Sequence, residues 1–304
     1  MTKCYTKQPL NLDDQLELLA SRGLDIGNRN DAREKLSAIN YYRLSGYWHS
    51  FRARNSDGMV TDAFRTGNNL TNIITLYEFD RHLRLMVMDA LERVEIAVRT
   101  QITYHLALTY GTFAHTNPAH FSPKFQHDKW LAGIDEEAKR SKEPFILHFR
   151  NNYQGFPTLP IWMATEVVSM GALSILYQGM TNQDRKMVSS HFGVHHMRFS
   201  NDLHALTYIR NICAHHGRLW NRELAIKPHR SHDPRWQPPV TPRHDRIFYI
   251  LLILRQLLAK MGLGEHWQHH LTDLITPIAT HSTWRVSMGL PEQWKDHPLW
   301  HATP

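Results

Sequence analysis

Residues 72–108 read NIITLYEFDRHLRLMVMDALERVEIAVRTQITYHLAL and decide the fold of this chain. The stretch contains neither proline nor glycine, and its apolar residues return about every 3.6 positions, as on a helix with one buried face. These apolar residues are Ile73, Tyr77, Leu83, Val87, Ala90, Val94, Ala97 and Ile102. The other face carries charged residues. The pattern predicts one long amphipathic helix.

Shorter helical patterns precede this stretch. Residues 11–22 carry leucines at helical spacing and end before Gly23, which suits a left-handed C-terminal cap, and a second helix starts at Asn30. Residues 41–48 are aromatic, and we expect them to be irregular. Residues 55–58, NSDG, form a turn signal that could join two short strands.

The second half of the chain also shows helical patterns. Residues 160–170 predict a mostly buried helix in which Glu166 is surrounded by apolar residues. Ser200 or Asn201 suits the N-cap of another helix, which we expect to run to His216 and to stop at Gly217. Residues 245–261 and 265–275 predict the last helical pieces. No internal repeat and no parallel-sheet alternation is present, so the predicted fold class is all-α.

Composition divides the chain into four predicted parts. Residues 218–246 are rich in proline and in cationic residues, which is typical of a linker. The four parts are an N-terminal helical and irregular elaboration (1–70), a helical core (71–222), a basic proline-rich linker (223–245) and a C-terminal helical extension (246–304).

Bulk properties limit the class of protein. The 304 residues are 42% hydrophobic, which is enough for a substantial core, and the net charge of +7 weakly favours an anionic partner. Cys4 and Cys213 are far apart and predict neither a disulfide framework nor a thiolate zinc site. The start of the chain lacks a signal-peptide pattern, and the apolar run 247–254 is shorter than the roughly 20 residues of a membrane span. We therefore expect a soluble cytoplasmic protein without a membrane partner.

Pairs of arginine and histidine four to six residues apart are a pattern of certain metal-independent ribonucleases. In these enzymes the arginine holds the phosphate and the histidine moves a proton. With 24 Arg and 22 His in the chain, chance alone predicts about five such pairs, so spacing selects none of them. The pairs are Arg43–His49, Arg99–His105, Arg185–His191, Arg198–His204, Arg222–His229, and Arg210 with His215 or His216.

The surroundings of the last pair favour it. At about 100° per residue, one narrow polar stripe lies opposite an apolar stripe on the predicted helix. The polar stripe consists of His204, Thr207, Tyr208, Asn211 and His215. His215 is thus the better candidate for proton transfer, and His216 the better structural one. Arg210 lies about 140° from His215 on an ideal helix, so its side chain must curl round or meet a histidine of another subunit.

An alternative reading of these residues is purely structural. Arg210 would pair with a buried Glu166, while the histidines would cap the negative C-terminal end of the helix. For Arg99 a structural role is favoured more strongly, because Glu95 lies four residues before it on the same helix.

Several segments together carry a family resemblance. They are residues 15–24, residues 39–47 (INYYRLSGY), residues 77–84 (YEFDRHLR), residues 92–95, residues 159–166 and residues 210–222 (RNICAHHGRLWNR). In these segments, which run in family order over about residues 10–225, the chain resembles the Abi-like (AbiD/AbiF-type) abortive-infection proteins of the HEPN superfamily.

The resemblance implies a HEPN-like helical bundle whose motif is carried by Arg210, Asn211 and His215. It implies a metal-independent endoribonuclease of phage defence that leaves 2′,3′-cyclic phosphate ends, with two motifs meeting in a homodimer. On this model His215 is the general acid or base, Arg210 stabilises the charged phosphorane, and Asn211 orients one of them.

The resemblance also implies RNA partners, namely a target RNA and a small noncoding RNA that acts as antitoxin. The residues expected to bind RNA are His216, Arg218, Arg222, Arg43 and Tyr208. The alternative is a non-catalytic RNA-binding protein that serves as sensor or scaffold of a defence system. No segment of residues 226–304 carries the resemblance. Cations and the indoles of Trp220 and Trp236 alternate in residues 218–246. In one interpretation the indoles stack on single-stranded RNA, and in the other the region is a solvated linker.

A metal hydrolase is a third reading, prompted by the many histidines. Adjacent histidines such as 269 and 270 point to different helix faces, and no HExxH motif is present. We therefore expect neither a metal nor another cofactor.

Overall fold

The computed structural model describes residues 4, 6 and 8–300, and it confirms the all-α prediction with 64% helix and 4% strand. The α-helices of the described residues are α1 (Leu12–Ser21), α2 (Arg29–Ile39), α3 (Tyr41–Trp48), α4 (Leu70–Tyr110), α5 (His127–Arg140), α6 (Pro144–Asn152), α7 (Ile161–Val167), α8 (Met170–Gly179), α9 (Asn182–Ser190), α10 (His196–Ala214), α11 (Ile247–Ala259), α12 (Gly264–Ala279) and α13 (Ser282–Met288). Strands β1 (Arg52–Arg54) and β2 (Val60–Phe64) form an antiparallel pair.

The chain separates into two compact units, one that ends at His82 and one that begins at Leu83. The division falls within α4, which is a continuous helix. The four-part division predicted from composition stays a prediction.

Local capping explains the first elements of the N-terminal unit. The side chain of Asn11 accepts a hydrogen bond from the amide of Asp14 at 2.9 Å and begins α1. Gly23 has a φ of 85° just beyond the end of α1, a left-handed conformation that glycine adopts without a steric penalty. Both α1 and its glycine cap confirm the sequence prediction, as does the turn at 55–58, which joins β1 to β2.

The prediction that residues 41–48 are irregular is wrong, because they form α3. The side chain of Asn40 accepts from the amide of Tyr42 at 2.8 Å, which caps the start of the helix. Leu44, Tyr47 and Trp48 stand at helical spacing and are all buried. Burial of this apolar face outweighs the weak helix preference of the aromatic residues.

Helix α4 confirms the long helix predicted from residues 72–108. Three contacts fix the part of α4 that belongs to the C-terminal unit. The indole of Trp267 donates to the carbonyl of Met86 at 2.8 Å. The hydroxyls of Thr103 and Thr165 lie 2.8 Å apart. Farther along α4, His105 Nε2 lies 2.7 Å from an oxygen of Asp184. These contacts hold α7, α9 and α12 at separate heights along one helix.

The sequence reading missed α8 and α9, although both have ordinary N-caps. The hydroxyl of Ser169 accepts from the amide of Ala172 at 3.3 Å, and that of Thr181 accepts from the amide of Asp184 at 3.2 Å. Helix α9 contains only two apolar residues, Met187 and Val188, so its cap is the stronger signal.

The C-terminal helices enclose an aromatic core. Almost every side chain of α11 is buried, and the indole of Trp300 donates to the hydroxyl of Thr272 on α12 at 3.1 Å. Within the described residues, no helix combines the length and the hydropathy that crossing a bilayer requires.

Candidate functional site

Helix α10 carries the candidate motif at its C-terminal end. It begins at His196, earlier than the predicted caps Ser200 and Asn201, and Ser200 is a buried residue inside the helix. Its apolar residues Leu203 and Leu206 are buried, and the helix packs on α8 and α9. The earlier start arises because buried His196 and Phe199 extend the apolar face toward the N-terminus.

The helix ends in a backbone motif that puts a histidine in a left-handed conformation. His216 has a φ of 55°, and the amide of Gly217 donates to the carbonyl of Ile212 at 2.8 Å. The helix therefore ends at Ala214, two residues before the predicted end, and His215 is its C-cap. A Cβ at position 217 would lie 3.1 Å from Cγ2 of Ile212, so glycine favours close packing there and is not required by a positive φ.

The three residues proposed as catalytic lie together on this helix end. Asn211 and His215 are exposed to solvent, and Arg210 is half-buried. Within the described part of the chain, no hydrogen bond or ion pair involves the side chains of these three residues. The structure thus leaves their side chains available to a ligand, and it does not join Arg210 to His215 within one chain.

The structural alternative for Arg210 is wrong in its choice of partner. The carboxylate of Glu166 lies 3.6 Å from Arg99, and its side chain is 56% exposed, so it is not a buried acid waiting for Arg210. Arg99 also pairs with Glu95 at 2.9 Å, as the sequence predicted. Short α7 buries its other face, which is why Glu166 is exposed although its neighbours in sequence are apolar.

The residues expected to bind RNA fall into two groups. His216 is exposed, Tyr208, Arg218 and Arg222 are half-buried, and all four lie on α10 or just beyond it. The Nε of Arg222 donates to the carbonyl of Arg218 at 2.7 Å, and the Tyr208 hydroxyl accepts from the amide of Ala225 at 3.5 Å. Arg43 is exposed on α3 of the N-terminal unit.

Two further arginines hold the loop after α10, and the sequence reading did not assign them to the site. Arg84, which is 5% exposed, donates from Nη1 to the carbonyl of Gly217 at 3.4 Å. Arg246 donates to the carbonyl of Asn221 at 2.8 Å and lies 3.6 Å from Glu223. For Arg84 a signal existed, because it ends the YEFDRHLR segment that carries the family resemblance.

Other arginine–histidine pairs of the same spacing serve structural contacts. His105 lies 2.7 Å from the buried carboxylate of Asp184, which also accepts from the hydroxyl of Tyr110. Arg198 donates to Gln256 at 3.1 Å and lies 3.2 Å from Asp202. Structure therefore separates pairs that spacing alone cannot distinguish.

Helix α10 also buries a carboxylate. Asp202 is fully buried, and desolvation raises its pKa to about 7 although the neighbouring Arg198 opposes the shift. The Arg198 guanidinium also lies over the ring of Trp236, 4.1 Å from the ring centroid. This cluster fixes the first half of α10 to residues 223–245.

Both readings of the indoles in this region, stacking on RNA and a solvated linker, are wrong, because the rings are buried. Trp220 and Trp236 are each 1% exposed, so neither presents a ring face to a base. Trp220 packs edge-on against Trp284 with the ring centroids 6.3 Å apart. Both indoles are part of the core, where burial of their large apolar surface stabilises the fold.

The electrostatic character of the motif is positive. Residues 210–222 contain three arginines and two histidines but neither Asp nor Glu. Among the described residues, no group of three or more His, Cys, Asp or Glu side chains is arranged to hold a metal ion. The arrangement suits a polyanion whose phosphates are bound by guanidinium and imidazole groups.

Comparison with known proteins gives one family match. The model of the family described as Abi-like protein matches residues 34–221. The matched region includes α10 and the candidate motif, and it excludes α11, α12 and α13. Neither the curated proteins nor the solved structures contain a significant match.

Proposed function

Because this chain belongs to the Abi-like protein family and is thus an abortive-infection protein, we propose that it cleaves RNA through Arg210, Asn211 and His215. The observation that supports the proposal most is that these side chains make no hydrogen bond or ion pair within the described part of the chain. They lie at a solvent-exposed helix end, in a segment without an acidic residue.

The proposed reaction is an internal transfer at phosphorus that needs no metal. The ribose 2′-oxygen attacks the adjacent phosphate, the bond to the 5′-oxygen breaks, and a 2′,3′-cyclic phosphate and a 5′-hydroxyl result. A base takes the proton of the 2′-hydroxyl while an acid gives a proton to the leaving 5′-oxygen. Arg210 stabilises the phosphorane charge, His215 is the acid or base, and Asn211 orients one of these groups.

The in-line geometry of this reaction favours a pair of motifs. The attacking and the leaving oxygen stand on opposite sides of phosphorus, so one imidazole is poorly placed to serve both. In a homodimer of the HEPN type, His215 of a second copy supplies the other group. That arrangement also accounts for the lack of a bond between Arg210 and His215 within one chain.

The RNA partners follow from the same proposal. His216, Arg218, Arg222 and Tyr208 contact the target RNA beside the cleaved phosphate, and Arg43 contacts it elsewhere. A small noncoding RNA bound by this surface restrains the activity as an antitoxin. Basic residues near the motif make both contacts strongly dependent on salt.

The test is cleavage of RNA in the presence of EDTA by the wild type and by His215→Ala. The matched control is His204→Ala, because His204 is an exposed histidine on the same helix. We expect the control to retain activity, and His215→Ala to lose at least 100-fold in rate, about 2.7 kcal/mol of transition-state stabilisation. Products should carry 2′,3′-cyclic ends. Full activity of His215→Ala would refute the nuclease proposal.

A second candidate function is RNA binding without cleavage. The observation in its favour is that Arg210 and His215 make no contact within one chain, whereas catalysis needs both at one phosphate. Its signature is tight RNA binding by the wild type, no cleaved product under any condition, and weaker binding by Arg218→Ala. Recovery of RNA with cyclic phosphate ends would rule out this alternative.

A further inference from the structure

We propose that His266 and His270, on the outer face of α12, form a binding site for a divalent transition-metal ion of the Zn(II) type. Their Nε2 atoms are hydrogen-bonded to each other at 3.2 Å, and the ring planes are inclined by 84°. Both residues are exposed. The site lies outside the 34–221 region matched by the family model and is independent of the proposed ribonuclease.

The distance between the two nitrogens is that of neighbouring metal ligands. Zinc–imidazole bonds of about 2.0–2.1 Å, at angles near 90–110°, place two ligand nitrogens about 2.9–3.4 Å apart. The 3.2 Å separation of His266 and His270 falls within this range. A spacing of four residues brings both side chains to one face, so an ion needs only small side-chain rotations.

The backbone beneath the pair is fixed without an ion. The neighbouring Trp267 is 3% exposed, and its indole donates to the carbonyl of Met86 at 2.8 Å. Leu271 and Ile275 on the inner face of α12 are fully buried. Because the helix is anchored in this way, metal binding does not have to order the chain, and its free energy is not spent on folding.

The neighbouring residues of α12 include one carboxylate, but they do not provide hydrolytic chemistry. Asp273 lies one turn beyond on the same face, with its carboxylate 3.6 Å from Nε2 of His269. Trp267 occupies the position where an HExxH helix has its glutamate base. With two protein ligands, water completes the coordination sphere, and the ion is bound less tightly than in a four-ligand structural zinc site.

The experiment is calorimetric titration of the full-length chain with ZnCl₂ at pH 7.5 in a non-coordinating buffer. The variants are His266→Ala, His270→Ala and the matched control His269→Ala, in which an equally exposed neighbouring histidine is lost. We expect each of the first two to weaken the tightest zinc binding at least tenfold, and the control to stay within about twofold of the wild type.

Thermal unfolding gives a second readout. Zinc should raise the unfolding temperature of the wild type and of His269→Ala, and EDTA should reverse the rise, because an ion that binds only the folded state stabilises it. Unchanged unfolding temperatures of the metal-free variants would establish that they fold normally. Wild-type zinc affinity in His266→Ala and His270→Ala, or an equal loss in all three variants, would overturn the assignment to this pair. Neither readout involves RNA cleavage.

Discussion

The guanidinium of Arg84 donates a hydrogen bond to the carbonyl of Gly217, 3.4 Å away, and so connects α4 to the loop that follows the candidate motif. Arg84 is buried, and its loss would leave the Gly217 carbonyl without this donor. Arg84→Ala should lower the free energy of unfolding by about 2–3 kcal/mol and reduce the proposed RNA cleavage.

The measurement for Arg84 is urea denaturation, with Arg81→Ala as the control. Arg81 stands one turn earlier on α4 and pairs with exposed Glu78 at 2.7 Å. Removal of this surface pair should cost less than about 1 kcal/mol. Equal losses in the two variants would contradict a special role of Arg84.

The protein should be more stable with glycine than with histidine at position 216. The φ of 55° at His216 is a left-handed conformation, which costs a residue with a side chain about 1–2 kcal/mol. His216→Gly should raise the free energy of unfolding by up to about 1 kcal/mol and weaken the proposed RNA binding, because the imidazole is lost. His216→Ala should weaken the proposed RNA binding equally without a gain in stability. A gain in both variants would contradict the conformational explanation.

Buried Asp202 should make the protein less stable as pH rises from about 4 to 7. Its pKa of about 7 in the folded chain exceeds the ordinary value, so the folded state holds a proton that the unfolded chain has released. The stabilisation is complete below pH 4 and is lost as pH rises through 7. Asp202→Asn should therefore gain stability relative to the wild type over this range, by up to about 1.4 kcal/mol per pH unit.

Asp245 provides a control for Asp202, because its pKa is shifted in the opposite direction. Arg243, with a hydrogen bond of 2.6 Å to the carboxylate, lowers the pKa of Asp245 to about 2. This stabilisation is present above pH 4 and is lost as pH falls through 2. Asp245→Asn should be less stable than the wild type by a constant amount between pH 4 and 7, as measured by denaturation at several pH values.

His297 should make the protein lose stability in acid. Its Nδ1 accepts from the amide of Leu299 at 3.2 Å, so Nε2 carries the proton and donates to the hydroxyl of Thr241 at 2.8 Å. Desolvation lowers the pKa of His297 to about 4. The unfolded chain takes up a proton near pH 6.5, so the stabilisation is present above that pH and is lost as pH falls toward 4.

The test for His297 compares the pH dependence of unfolding in His297→Gln and in His269→Gln. The first variant should show a shallower loss of stability between pH 6.5 and 4, because one proton fewer is taken up on unfolding. The exposed His269 should leave the slope unchanged. Identical slopes in the wild type and His297→Gln would exclude His297 as a source of acid sensitivity.

Much of the fold was predictable because local signals and tertiary packing agree. For α4, the apolar period and the lack of proline or glycine predicted both ends of the helix to within two residues. For α3, the aromatic composition led to the wrong prediction of an irregular segment. The spacing of Leu44, Tyr47 and Trp48 correctly indicates a helix. Helix α9 contains only two apolar residues, Met187 and Val188, and its neighbours decide its position.

The candidate site was predictable in position but not in its surroundings. Sequence placed Arg210 and His215 near a helix end, and the structure agrees. Sequence could not reveal that Glu166 faces solvent beside Arg99, since burial depends on which side of a short helix is covered. The contact of Arg84 with Gly217 joins positions 133 residues apart, a separation at which no local pattern operates.

Helix α4 sets the spacing between the elements of the C-terminal unit that contact it. From Arg84 to His105 it spans about 32 Å at 1.5 Å per residue, with partners attached at both ends and in between. Deleting one residue between them would turn the far partners by about 100° relative to the near ones, so no side chain could absorb the error. Evolution of this chain is therefore expected to accept insertions in the hairpin turn at 55–58 and to reject them along α4.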